Sequence, residues 1–201
     1  LDYTALAVIL EEIAAGDGAT STIISVNNCP VCSILLAWGN EEQKQRWLAP
    51  LASGRMLGAF CLTEPQAGSD AAALNCRAVR DGDGYRITGT KAWITHGGIA
   101  DFYNLFARTG EGSKGISCFL VDKDTEGLSF GKPEEKMGLA AVPTTSAGYD
   151  DAPVPADRRL GAEGQGLQIA FSALDSGRLG IAAVATGIAQ AALDAAVAYA
   201  K

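Results

Sequence analysis

The sequence predicts an α+β protein in three parts: a helical first segment, a middle domain of antiparallel strands forming a small barrel or sandwich, and the start of a second helical region. Three observations predict it. Leu6, Ile9, Leu10 and Ile13 recur at i, i+3, i+4 and i+7, the apolar stripe of an amphipathic helix. From Leu57 to about Leu160 the composition turns to Gly, Thr and alternating apolar residues, broken by turn signals at Asp81-Gly-Asp-Gly84 and Gly110-Glu-Gly-Ser-Lys-Gly115. After Gly164 an alanine-rich run continues without punctuation to Lys201. The boundaries fall at 1–57, 58–160 and 161–201.

Taken in order, residues 2–15 form the first helix and Gly16 stops it. A second helix starts from Ser21, and a third spans Val31 to Trp38, with Pro30 near its start and Gly39-Asn40 ending it. Asn40-Glu-Glu-Gln43 reads as an N-cap with a capping-box Gln, opening a short helix through Trp47-Leu48 before Pro50. Val79, Tyr85, Ile87, Trp93, Phe102 to Phe106, Ile116 to Val121 and Leu128 to Phe130 mark the strands. The last helix has apolar or small residues on most faces and so calls for burial on most faces. It reaches Lys201 without a cap or a partner helix, so the sequence reads as cut from something longer, and Leu1-Asp2 begins almost inside a helix.

A net charge of -7 over 201 residues, with no Lys/Arg cluster, argues against nucleic-acid binding. Any phosphate-bearing ligand must then be held locally. The run Ile181 to Tyr199 is interrupted by Thr186, Gly187, Gln190 and Asp194, which predicts no membrane span, and no signal peptide is expected. Five irregularly spaced cysteines do not make a disulfide framework and point to a reducing, cytoplasmic location. Cys29-Pro-Val-Cys32 lies between helical stretches and not after a strand, so core or pocket-wall packing is expected in place of redox chemistry. With His96 the single histidine, there is no zinc spacing. Gly110 to Gly115 matches G-x-G-x-x-G, yet Gly115 leads into Ile116-Ser-Cys-Phe-Leu-Val121. A dinucleotide fingerprint needs a helix there, so a hairpin turn is expected.

Two segments carry chemistry: Phe60-Cys-Leu-Thr-Glu-Pro-Gln-Ala-Gly-Ser-Asp70 and, beyond the hairpin, Lys91-Ala-Trp-Ile-Thr-His-Gly-Gly98. By themselves they read as a strand entering a Pro/Gly turn and a strand with a core aromatic. As an ordered pair they resemble the flavin-binding strands of acyl-CoA dehydrogenases. Phe171-Ser-Ala-Leu-Asp-Ser-Gly-Arg-Leu-Gly-Ile181 and the run from Lys136-Met-Gly138 through Val154-Pro155 to Leu160-Gly161 extend the resemblance over the whole chain. It is most similar to the short-chain, butyryl type, and corresponds to roughly the middle half of a family chain.

The resemblance implies FAD as cofactor. Phe60, Leu62 and Thr63 would lie along the flavin's pyrimidine edge, and Gly68 and Ser69 where the backbone nears FAD and the thioester arm. Trp93 would cover the ring face away from substrate, with Ile94 and Thr95 beside it and Thr95 toward N5. It also implies that Ser69, Asp175, Ser176, Gly177 and Arg178 line the acyl-CoA entry, although Asp175 and Arg178 at i and i+3 also suit a plain helix-surface ion pair. His96 replaces a common Asn and has no catalytic role, and Ala140 stands where the family often has Arg. Gly177 occupies the place where isovaleryl-type members keep their glutamate base, and Glu64 belongs to the turn. The base is therefore expected beyond Lys201, and these residues alone are expected to be inactive.

The implied activity is α,β-dehydrogenation of acyl-CoA thioesters, with electrons passed to an electron-transfer flavoprotein by a homotetramer. The alternatives are an acyl-CoA oxidase or flavin monooxygenase of the same fold, and a non-catalytic scaffold that binds CoA esters or a partner.

Overall fold

The computed structural model describes residues 2–201. Helix α1 (Tyr3–Gly16) is opened by the Asp2 carboxylate, which accepts from the Ala5 amide at 2.8 Å. Asp17 serves two helices. Its amide donates to Ile13 O at 2.8 Å, while its carboxylate accepts from the Ala19 and Thr20 amides and so starts α2 (Gly18–Val26) three residues earlier than Ser21. Pro30 has no amide to donate, and the chain widens over Asn27–Cys32, where Cys29 leaves helical geometry at φ -133° and ψ 92°. The third helix, α3 (Ser33–Trp38), therefore begins after a kink and not at Val31.

The Asn40 capping box is present, with Gln43 N donating to Asn40 Oδ1 at 2.8 Å and Asn40 N to Gln43 Oε1 at 3.1 Å. The helix it opens does not stop before Pro50. It runs from α4 (Glu41–Gln43) through a wider-wound stretch, Lys44–Leu48, into α5 (Ala49–Ala52), with Leu48 and Ala49 both helical and the Ala49 amide reaching back to Lys44 O, so the winding loosens just before the proline and the helix continues past it.

The strands are β1 (Gly58–Cys61), β2 (Arg77–Asp81), β3 (Gly84–Thr95), β4 (Phe102–Arg108), β5 (Ile116–Asp122), β6 (Leu128–Phe130), β7 (Thr144–Pro155) and β8 (Arg159–Leu160). They form one sheet in the order β6-β7-β3-β2-β4-β5-β8, with β1 also on β4. The three-part α+β architecture is as expected and most strand neighbours are antiparallel, but the closed barrel is not formed. The sheet is open, and it is mixed because β1 and β2 both pair parallel with β4. Gly110 to Gly115 is the β4–β5 hairpin connection, Arg108 facing Ile116 and Gly112 at φ +68°.

Strand β4 is buried on both faces. Phe102 and Phe106 join Trp47, Leu51, Leu62 and Ile169 in a helix-side core, while Tyr103, Leu105 and Ala107 join Tyr85, Ile94 and Tyr149 on the other side. Helix α6 (Gly166–Ala200) rises about 52 Å and packs a seam of small residues inward. Gly180 meets Ser25, and Gly187 meets Glu11 and Ala14, approaches a side chain would obstruct.

Two helical stretches, Gly18–Trp38 and Gly166–Ala200, are long and apolar enough by length and composition alone to cross a membrane, a test that core helices of folded domains also pass. The first is kinked and a little over half buried within the fold, and in α6 alanine is the commonest residue, 12 of 35.

Candidate functional site

Strand β1 is threaded beside β4 because its residues are small where the helices press on it: a Cβ on Gly58 would collide with Val31 and Leu51. Past β1, Leu62 is buried with the helix-side core, and half-buried Phe60 packs at a tilt against Phe106, 5.0 Å between ring centroids. Thr63 is half-buried at the mouth of a turn closed by Glu64 N to Ala67 O at 3.0 Å and Ala67 N to Glu64 O at 3.1 Å. Gly68 and Ser69 follow, both exposed, and a Cβ on Gly68 would meet only open space.

Opposite this turn, β3 carries a bulge. Its pairing with β7 slips between Lys91 and Ile94, and Trp93 takes φ +53° with its indole 60 % exposed. A left-handed aromatic costs of order 1–3 kcal/mol and persists only where its surroundings enforce it. The enforcing contact is Ala92 N to Thr63 O at 2.9 Å, which sets the bulge against the end of β1. The ladder then resumes with Ile94 facing Thr145 and Thr95 facing Thr144, Ile94 buried and Thr95 half-buried. Among the described residues the hydroxyls of Thr63, Ser69 and Thr95 make no side-chain hydrogen bond.

Sequence reasoning missed Lys91. Its ammonium is fully buried, donating to Glu64 Oε1 at 2.7 Å and to Leu62 O at 3.0 Å. Glu64 also accepts from the Asn75 amide at 2.6 Å, the Cys76 amide at 2.9 Å and Gln66 Nε2 at 2.7 Å. Burial pushes the Glu64 carboxyl up, but the Lys91 ammonium and these donors outweigh it and hold the group below the ordinary carboxylate range. The signal was one acid in the first segment and one base in the second.

The α6 residues stand apart. Asp175 and Arg178 are exposed and pair with each other at 3.3 Å; Ser176 is buried and donates to Ala173 O at 2.9 Å; a Cβ on Gly177 would stand 3.6 Å from Cys29 O, an ordinary van der Waals contact. Among the described residues no side-chain hydrogen bond or ion pair joins these four to Thr63, Ser69 or Trp93. Cys29 and Cys32 are buried free thiols, and burial pushes Cys32 up to about 11, so neither is poised for exchange.

His96 is buried with φ +66°, its Nδ1 2.8 Å from Gly58 O and its Nε2 without a partner among the described residues. Burial holds its pKa below the usual value, so the unfolded chain takes up the proton first. Its contribution to stability is complete above the unfolded pKa of about 6.5 and falls as pH drops below it. His96→Asn, which tolerates a positive φ, is expected to flatten this acid slope in thermal melts. An unchanged slope would remove the assignment.

Comparison with known proteins agrees with this arrangement. Residues 1–55 match the acyl-CoA dehydrogenase N-terminal domain, 59–152 the acyl-CoA dehydrogenase middle domain and 164–201 the acyl-CoA dehydrogenase C-terminal domain. The chain is 47% identical over 203 residues to the short-chain specific acyl-CoA dehydrogenase, mitochondrial, of Bos taurus, covering 100% of this chain and 49% of that protein. A solved structure of the electron transferring flavoprotein of Acidaminococcus fermentans, studied towards a mechanism of flavin-based electron bifurcation, contains a chain that superposes with a TM-score of 0.96. That chain is 44% identical, over 99% of this chain and 53% of its own length. A glutaryl-CoA dehydrogenase from Mycobacterium smegmatis in complex with FADH2 superposes with a TM-score of 0.92 at 36% identity, over 99% of this chain and 50% of its own. The chain spans about half the length of the curated relatives it matches. Three successive domain matches in family order, with this identity from end to end, place the chain in the acyl-CoA dehydrogenase family.

Proposed function

We propose that the full-length protein is an FAD-dependent acyl-CoA dehydrogenase that desaturates short acyl-CoA thioesters between Cα and Cβ. The observation that carries this reading is the Ala92–Thr63 backbone bond, which sets an exposed, left-handed Trp93 beside the Thr63–Ser69 turn. The donor set fits a flavin: a flat apolar wall, hydroxyls of Thr63, Ser69 and Thr95 without protein partners, and open space at Gly68 for close approach. When bound, FAD supplies the acceptor for the hydride that leaves Cβ.

The chain's own residues bind and orient. Trp93 would wall one face of the ring. The Thr63 amide and hydroxyl would serve its pyrimidine edge, with Phe60 and Leu62 holding the strand beneath, and fixed donors there would favour negative charge without reorganising. Ile94 anchors the bulge, and the Thr95 hydroxyl beside it would be a donor to the ring. Ser69 would serve the thioester arm, and Asp175 to Arg178 on α6 would receive the pantetheine portion.

The α-proton needs a carboxylate within hydrogen-bond reach. Glu64 is not it, because four donors and burial occupy its oxygens. Gly177 has no side chain, so we assign the base to the part of the full-length protein that follows Lys201. Residues 1–201 alone are expected to show no thioester-dependent turnover. We further assign an electron-transfer flavoprotein as acceptor, a homotetramer as assembly and the cytoplasm as location, which buried free thiols suit.

Anaerobic mixing of the full-length, FAD-loaded protein with butyryl-CoA tests the reading. Bleaching of the flavin, with turnover that needs electron-transfer flavoprotein and consumes no oxygen, is expected. Oxygen consumption matched to turnover would make the protein an oxidase, and failure to take up FAD would leave the scaffold reading.

A further inference from the structure

We propose that the buried Glu64–Lys91 pair is a positioning device that aims and polarises the Thr63 peptide at the flavin. The proposal rests on the flavoprotein reading given above. Lys91 Nζ donates to Leu62 O at 3.0 Å, and the next residue, Ala92, donates its amide to Thr63 O at 2.9 Å. Two consecutive residues of β3 thus hold the carbonyls on both sides of the Thr63 amide, one step before Trp93 turns to φ +53°. A carbonyl that accepts a charge-assisted bond strengthens the N–H of its own peptide as a donor. The same ammonium therefore fixes where the Thr63 amide points and how strongly it donates.

Stability alone does not account for a charged pair here, since apolar residues of similar volume often serve a buried site as well or better. What the charges add is connection. Through one carboxylate, Glu64 gathers the turn at Gln66, the entry to β2 at Asn75 and Cys76, and β3 at Lys91. The turn that presents Ser69 and the bulge that presents Trp93 are thereby locked to one another.

The pair carries opposite charges behind the cofactor edge, so removing either partner has a signed consequence. In the full-length protein, K91M is expected to weaken binding of reduced relative to oxidised FAD by about tenfold, a fall of about 30 mV in the two-electron potential. E64Q leaves the ammonium less compensated and is expected to move the potential the other way. A purely structural role gives no such opposition of sign. The double variant K91M/E64Q leaves no charge buried alone; it is expected to fold and to bind oxidised FAD about tenfold more weakly, because the bond to Leu62 O is lost. The unsubstituted protein gives an independent readout: the 15Nζ resonance of the buried lysine should shift when the flavin is reduced.

Folded variants whose FAD affinity and potential match the unsubstituted protein, single variants that shift the potential in the same direction, or a lysine resonance blind to flavin reduction would each overturn the proposal. Unsubstituted protein that binds no FAD overturns the flavoprotein reading instead, and the two failures are thereby distinguished.

Discussion

Trp93→Ala is expected to lower FAD affinity about 5- to 150-fold while leaving the fold in place. Stacking of a planar aromatic ligand on an indole contributes about 1–3 kcal/mol, and a tenfold change in affinity corresponds to about 1.4 kcal/mol. The indole is 60 % exposed and anchors no core, since the bulge is held by Ala92 N on Thr63 O and by Ile94 packed beside Tyr103 and Tyr149. Thermal stability should change by about 1 kcal/mol or less, as at other exposed positions. Fluorescence titration with FAD and a thermal melt separate the two effects. Unchanged affinity would remove Trp93 from the site, and a collapsed fold would return it to the structural role of a β-domain aromatic.

Glu64→Ala is expected to do the reverse and strike the fold first. The substitution leaves the Lys91 ammonium, 0% exposed, without its counter-charge and strips the Asn75 and Cys76 amides of their acceptor. Breaking a buried pair in this way costs about 3–5 kcal/mol, a large share of the 5–15 kcal/mol that is typical of a whole domain. The same group gives the protein an acid limit. Because its folded pKa is depressed, the unfolded state binds the proton first as pH falls. Its stabilisation is therefore whole above the unfolded carboxyl pKa of about 4.3 and is lost as pH falls through the folded value. Denaturant melts of Glu64→Ala at neutral pH check the magnitude, and a loss below about 1 kcal/mol would show that the pair is screened.

The sequence was most legible where structure is decided within a few residues. The Asn40–Gln43 capping box and the Gly110–Gly115 hairpin turn are local arrangements of donors and acceptors, and both are present. So is the burial of Cys29 and Cys32, expected from their place between helices, with Cys32 in the helix-side core. Legibility failed where a distant or dual partner decides. Asp17 closes one helix and opens the next, which periodicity alone does not show. Pro50 looked like a stop because its missing amide reads as a break, yet the helix winds wider over Lys44–Leu48 and carries on through it. The parallel pairing of β1 with β4 joins Gly58 to Phe102 across the intervening hairpin, so a pattern of consecutive strands suggested an antiparallel set instead. At the candidate site, the two segments and their residues were readable as motifs. The bulge that turns Trp93 outward and the burial of Lys91 were not, because both depend on Glu64 and Thr63 folding back from the other segment.

A crystal structure of the full-length protein soaked with FAD tests the central claim most directly. The account predicts the isoalloxazine stacked on the Trp93 indole, with its pyrimidine edge within hydrogen-bond distance of the Thr63 amide and hydroxyl. Flavin bound elsewhere, with solvent between Trp93 and the Thr63–Ser69 turn, would contradict it.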